Sequence, residues 1–143
     1  MRLLALVGAL LLLGCSSEPP VEIRVWADPR RGVWEFQYPG EDGEWDTADD
    51  RGSTNRAIFP AGRDVELEIE SYGPAAAIAF PELGVSERSP TTFLIWDSKL
   101  RRDEKLKFFC GEYIGWKSSE MEGWARVLEF TEWERAVADL PRW

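Results

Sequence analysis

Apolar and polar residues alternate in short runs along most of this chain, the period of strands with one buried and one wet face. The first run is Val21-Glu22-Ile23-Arg24-Val25-Trp26, and Asp28 to Gly32 then reads as a turn. Trp34, Phe36 and Tyr38 recur at every second position and predict an aromatic core stripe on a strand that Pro39-Gly40 ends. Asp64 to Ser71 places Val65, Leu67 and Ile69 on one face and acids on the other. Ala75 to Phe80, closed by Pro81, and Thr91 to Trp96 are further strand candidates, followed by a charged turn at Asp97 to Asp103. Lys105 to Cys110 and Trp124 to Phe130 alternate again. Thr131 to Leu140 predicts a short terminal helix, capped by Thr131 with Glu134 three residues on and ended by Pro141. Short strands at regular spacing with turns between them predict an all-β sandwich or barrel.

The N-terminus breaks this pattern. Arg2 precedes an unbroken apolar run, Leu3 to Leu13, and then Gly14-Cys15-Ser16-Ser17. The run is too short to span a bilayer, which takes about 20 apolar residues, and fits a secretory leader. Leu12-Leu13-Gly14-Cys15 resembles a bacterial lipobox, which implies cleavage before Cys15 and lipidation of its thiol. The expected organisation is a lipoprotein signal peptide over residues 1–14, the lipidated Cys15 with a polar tether over 15–20, and one domain over 21–143. The expected location is the bacterial cell envelope, with the domain on the extracytoplasmic side and the lipid as the membrane anchor.

Composition removes several function classes. The chain has 143 residues, a length for one domain with a real core. Its formal net charge is −9, so no basic footprint for nucleic acid is present; the acidity serves solubility or attracts a basic partner. There is no histidine, which excludes Ser-His-Asp and Cys-His nucleophilic sites, a His-ligated haem and a blue-copper site. There are two cysteines, so lipidation of Cys15 leaves Cys110 without a partner. The most acidic stretch, Glu41 to Asp50, holds Asp42, Glu44, Asp46 and Asp49 as oxygen donors for calcium. Thr47 stands where an EF-hand needs Gly, so a solvated hairpin loop is the expectation.

One segment concentrates the remaining chemistry. Cys110-Gly111-Glu112-Tyr113-Ile114-Gly115-Trp116-Lys117-Ser118-Ser119-Glu120-Met121 resembles the copper loop C-x-E-x-C-G-x-x-H-x-x-M of cytochrome c oxidase subunit II. Cys110, Glu112, Gly115 and Met121 match in register; Ile114 stands at the second cysteine and Ser118 at the histidine. Trp34-Glu35-Phe36-Gln37-Tyr38-Pro39-Gly40 resembles the family's W-x-F-x-Y-P strand. Asp42-Gly43 with Thr47-Ala48-Asp49-Asp50 resembles its acidic hairpin, and Pro60-Ala61-Gly62-Arg63-Asp64-Val65 its P-x-G-x-x-V turn. Ser71 to Pro81 occupies the place of the segment that carries the first copper histidine, with Ala76 at that histidine and Phe80 displaced from the family's Phe. The resemblance covers roughly Val21 to Trp133. Nitrous oxide reductase has a related loop, but the WEFQYP strand points to the oxidase subunit.

The resemblance implies a cupredoxin-like Greek-key β-sandwich with a short C-terminal helix. It also implies the place of copper A, a two-copper electron-accepting centre with two thiolates, two imidazoles, a thioether and a backbone carbonyl from the Glu position. Soft sulfur and imidazole suit copper. At Ala76, Ile114 and Ser118 this chain lacks both imidazoles and one bridging thiolate, so loss of copper A and no cofactor are expected, the cavity being filled by packing. Cys110 and Met121 then behave as buried apolar residues, or as ligands of one soft ion such as Cu(I). Trp116 and Trp124 are expected to pack at the barrel end rather than to relay electrons. Glu112, which in the family also helps hold magnesium, lacks its partners here. Arg31-Gly32 stands where the family places a glutamine and the tryptophan that accepts electrons from cytochrome c. In place of the family's transmembrane hairpin, a lipid and a tether are expected.

A structural, accessory or assembly component of a haem–copper oxidase-type respiratory complex follows as the first expectation. Copper-free members of the family in quinol oxidases retain the domain as a structural part. The second is a free-standing envelope binding module for a protein partner or one soft metal, and the third is a working copper A electron-transfer subunit. The expected partners are respiratory oxidase subunits or another envelope protein, with no catalysis by the chain itself.

Overall fold

The computed structural model describes residues 18–143. Cys15 and its leader lie outside them.

The alternating runs become ten strands. In order they are β1 (Val21–Asp28), β2 (Val33–Tyr38), β3 (Arg51–Thr54), β4 (Arg56–Pro60), β5 (Val65–Ser71), β6 (Ala77–Phe80), β7 (Val85–Arg88), β8 (Thr91–Ile95), β9 (Lys105–Cys110) and β10 (Glu122–Leu128). A helix, α1 (Phe130–Ala138), follows. The strands form two five-stranded sheets, β3-β2-β1-β5-β8 and β4-β10-β9-β6-β7.

Period-two side chains dictate which faces meet. In the first sheet β1 lies parallel to β5, with Ile23 beside Leu67 and Val25 beside Ile69. It lies antiparallel to β2, with Val25 beside Phe36 and Ala27 beside Trp34. All of these side chains are buried, and the intervening glutamates face water. The second sheet contributes Phe59, Ile78, Phe80, Leu106, Phe108 and Val127 to the same core. Phe108 joins the sheets: its ring lies 5.1 Å from Phe36 at 60° and 5.7 Å from Phe80. Such edge-on pairs add about 0.5–1.5 kcal/mol beyond the area they bury. The aromatic stripe is core, as its spacing predicts.

Two of the boundaries that differ from expectation share one reason. The last strand ends at Leu128 rather than Phe130, and α1 begins one residue before Thr131. Glu129, not Thr131, is the cap, and its carboxylate accepts the N–H groups of Thr131 and Glu132 at 3.1 and 3.2 Å. A carboxylate on two free N–H groups at a helix start satisfies more orphan donors than one hydroxyl does. Trp133 then donates its indole N–H to the Ile58 carbonyl at 2.9 Å, which fixes α1 along β4.

Three short edge strands lie outside those expected from sequence: β3, β4 and β7. The acidic loop between β2 and β3 is held by its own carboxylates. Asp50, 2% exposed, accepts Gln37 Nε2 at 2.9 Å and the Asp46 N–H at 2.8 Å. Asp49 accepts the Thr47 hydroxyl at 2.6 Å, and Asp46 pairs with Arg24 at 3.3 Å. These oxygens engage Gln37 of β2, Arg24 of β1 and the loop's own N–H and hydroxyl groups.

Candidate functional site

The Cys110–Met121 loop leaves the end of β9 and returns into β10. Its mouth is pinned by the sheet: Cys110 donates its N–H to the Met121 carbonyl at 2.9 Å, and Gly111 to the Ala77 carbonyl at 2.8 Å. Ile78 pairs with Cys110 across β6 and β9. The register therefore brings Ala76, just before β6, beside the start of the loop.

The matched positions come together in two groups. The Cys110 thiol lies 3.1 Å from the Glu112 carbonyl and donates to it. These are the thiolate and carbonyl positions of the copper loop. Cys110 is half-buried rather than fully buried. Burial raises its pKa above the ordinary thiol value, opposed by hydrogen bonding to the Glu112 and Ala77 main chain. The Glu112 carboxylate points away to Arg88 of β7, with Nε to Oε1 at 3.4 Å. Met121 is fully buried, and its carbonyl also takes the Trp34 indole N–H at 3.1 Å.

The second group holds the substituted positions. Ser118 is 1% exposed, and its Oγ accepts the Ile114 N–H at 3.2 Å. The two positions where the family has a cysteine and a histidine are thus tied to each other. Ile114 packs its side chain against the core. Ala76 is fully buried, and Ser89 clamps it from both sides: the Ser89 hydroxyl accepts the Ala76 N–H at 2.9 Å, and the Ser89 N–H donates to the Ala76 carbonyl at 2.8 Å. Among the described residues, no three of His, Cys, Asp and Glu stand together as a metal-holding group.

Backbone conformation shapes the rest of the loop. Gly115 and Trp116 both have positive φ, +90° and +46°. For Trp that left-handed state costs about 1–2 kcal/mol. The reversal lets Ser118 reach back to Ile114, and it leaves Lys117 to donate to the Pro29 carbonyl at 3.0 Å. The loop therefore rests on the β1–β2 turn. At Gly32 (φ +72°) an added Cβ would stand 2.8 Å from Lys117 Cβ and 3.1 Å from its carbonyl. The position that the resemblance aligns with the family's electron-accepting tryptophan has no room for a side chain here. The sequence carried one cue to this contact, a glycine inside a turn.

The two tryptophans are not barrel-end packing, which corrects the expectation. Trp116 is 55% exposed, with Arg30 stacked 4.9 Å from its ring. Trp124 is 47% exposed on the outer face of β10, because its neighbours Gly123 and Ala125 take the inward-facing positions. Sequence reasoning also missed Ser89 and the chain Asp50–Gln37–Trp26, in which the Trp26 indole donates to Gln37 at 3.1 Å and Tyr72 stacks on Trp26 at 5.0 Å. No pattern along the chain marks either one.

No protein-family model and no curated protein sequence matches the chain. Solved structures do. The chain is similar to the periplasmic domain of subunit II of cytochrome oxidase (CoxB) of Bradyrhizobium japonicum, with a TM-score of 0.66 and 15% identity over 84% of this chain and 92% of that one. It is also similar to a chain in the mixed disulfide intermediate between thioredoxin-like TlpAs and subunit II of cytochrome c oxidase, with a TM-score of 0.61 and 18% identity over 84% of this chain and 90% of that one. The fold is a cupredoxin-like β-sandwich with one short C-terminal helix, as the resemblance implied.

Proposed function

We propose that this chain is a lipid-anchored, copper-free relative of cytochrome c oxidase subunit II. It acts on the extracytoplasmic side as a structural, accessory or assembly component of a haem–copper oxidase-type complex. It performs no catalysis or electron transfer of its own. The observation that carries this reading is the hydrogen bond between Ile114 and Ser118. It commits a buried hydroxyl to the loop's own backbone at the two positions where the family holds copper.

The donor set does not fit copper A. One thiol, one buried thioether and one carbonyl stand against the two thiolates and two imidazoles that two close copper ions require. Ala76 and Ile114 carry no donor atoms, and their side chains belong to the core. The filled position at Gly32 supports the same reading, since it removes the place for an electron-accepting indole. Among the described residues no helix is long and apolar enough to cross a membrane, so the proposed anchor is the lipid on Cys15. The two solved relatives are subunit II domains, which supports an oxidase or envelope partner in general.

A second reading rests on the half-buried Cys110 thiol beside the Glu112 carbonyl. In it, the chain is a free-standing envelope module that holds one Cu(I) at Cys110 and Met121. One experiment separates the two. The full-length protein is purified from membranes in mild detergent, its associated subunits are identified, and its copper content and visible spectrum are measured after exposure to Cu(I) and Cu(II). The first reading expects oxidase subunits and no tightly held copper. One Cu(I) lost on Cys110→Ala, with no oxidase subunit present, would establish the second. Two coppers with a purple spectrum would overturn both.

A further inference from the structure

A large cavity among the described residues lies away from the copper loop. It is an open cleft of about 1050 Å³ along the edge of the sandwich, where β3 passes into β4 through Asn55 and the C-terminal tail runs alongside. Its volume lies just above the usual range for small-ligand pockets, about 300–1,000 Å³.

The charge of this cleft is opposite to that of the protein. In a chain of net charge −9, the lining includes Arg56, Lys105, Arg126 and Arg142, and none of these makes an ion pair among the described residues. The carboxylate among the lining residues, Glu35, is already engaged by Arg31. Two half-exposed indoles join the cations: Trp124, with Lys105 5.9 Å and Lys107 5.1 Å from its ring, and Trp143, 44% exposed. The register explains the cluster on β10: Trp124 lies opposite Arg56 and Lys107, and Arg126 opposite Lys105, all on the wet face of the sheet.

The neighbouring strand edges are already taken. Gly52 donates to the Pro141 carbonyl at 2.9 Å, and Tyr38 and Trp133 occupy the Ile58 N–H and carbonyl at 2.9 Å each. An occupant is therefore read by side chains rather than by adding a strand. Guanidinium groups beside exposed indoles are the residue types that carry binding energy at interfaces, and unpaired cations in an acidic surface select an anionic partner.

We propose that this cleft binds an acidic, extended segment of a protein partner that carries carboxylates beside an apolar or aromatic side chain. The assignment is independent of the copper-loop reading. The test uses the full-length protein in mild detergent and a fluorescein-labelled peptide of alternating Asp and Glu with one central Phe. Binding is followed by anisotropy across a salt series and by the indole N–H signals of Trp124 and Trp143 in NMR spectra. The expected result is saturable binding that weakens with salt, shifts at both indoles, and a loss on the order of tenfold or more in Arg56→Glu/Arg126→Glu. The single charge-reversal variant Lys99→Glu, at an exposed site outside the cleft, should change affinity less than about twofold. No binding, or an equal loss in Lys99→Glu, overturns the proposal. So does binding of a Lys-substituted peptide with equal strength. Cleft-dependent binding of phosphatidylglycerol vesicles or of succinate, without binding of the peptide, would assign the cleft to a membrane surface or a small anion instead.

Discussion

Met121 separates a packing role from a ligand role by substitution. Its side chain is fully buried in the core cluster, while its carbonyl serves Cys110 and Trp34 through the main chain. A side-chain change leaves those two hydrogen bonds in place, so the cost measures packing alone. Met121→Ala removes Cγ, Sδ and Cε from a site with no exposure, and truncations of this kind cost about 2–5 kcal/mol. Met121→Leu nearly conserves volume and should cost less than about 1.5 kcal/mol. Urea unfolding at equilibrium, followed by tryptophan fluorescence in chelator-treated buffer, reads both. With a slope of about 2 kcal/mol per molar, the alanine variant's midpoint should fall by about 1–2.5 M and the leucine variant's by less than about 0.75 M. Repeating the series with Cu(I) should leave all three midpoints where they were. Equal losses for leucine and alanine would refute the packing argument. A Cu(I)-dependent rise in wild type that Met121→Leu abolishes would make the thioether a ligand.

Three further outcomes follow from particular contacts. Asp50→Ala strands Gln37 Nε2, a donor on a residue 1% exposed, while the part-buried Asp46 N–H can turn to water; one unpaired buried donor costs about 1–3 kcal/mol, so denaturant unfolding should show a loss of about that size, with Asp50→Asn milder. Burial pushes the Tyr38 phenol to about 12 against an ordinary value of 10.0, partly offset by its hydrogen bond to the Ile58 N–H. A raised pKa stabilises the fold fully below the unfolded value and is lost as pH rises towards 12, so stability should fall by about 2–3 kcal/mol over that window in alkaline denaturation, and Tyr38→Phe should flatten this step. Cys110, its thiol held protonated by burial, should alkylate with iodoacetamide along a pH–rate curve whose midpoint lies above that of a cysteine peptide; a midpoint below it would contradict the burial argument.

Much of the fold was legible because it rests on side-chain period. Val65, Leu67 and Ile69, or Trp34, Phe36 and Tyr38, announce a buried face wherever the sheet puts them. β3 is Arg51-Gly52-Ser53-Thr54, with no apolar side chain; it is a strand only because β2 and the C-terminal tail offer it partners, and a linear pattern does not record partners. β7 is short and at an edge for the same reason. The helix start was misplaced because a Glu cap competes with the Thr beside it, and three-dimensional reach decides between them. At the loop, residue identity told which donor atoms are missing. It did not tell that Ser118 turns to Ile114, that Ser89 clamps Ala76, or that Gly32 lies under Lys117, since each contact joins segments set by the tertiary path.

The position of β10 sets when this molecule can become whole. It lies inside the second sheet, between β4 and β9, and pairs in parallel with β4, a strand about half the chain earlier. The first sheet draws on β1, β2, β3, β5 and β8, which all precede residue 96. A growing chain therefore has the parts of one sheet well before the other, and the apolar inner face of that first sheet waits for its cover. Pairing over such separation is slow, because the loop must close before any contact rewards it. The consequence is a late, all-at-once closure in which the last strand stitches β4 to the rest. A chain cut after Cys110 would keep one sheet intact and leave the other in pieces, with its apolar face open to whatever chaperone or neighbour meets it first.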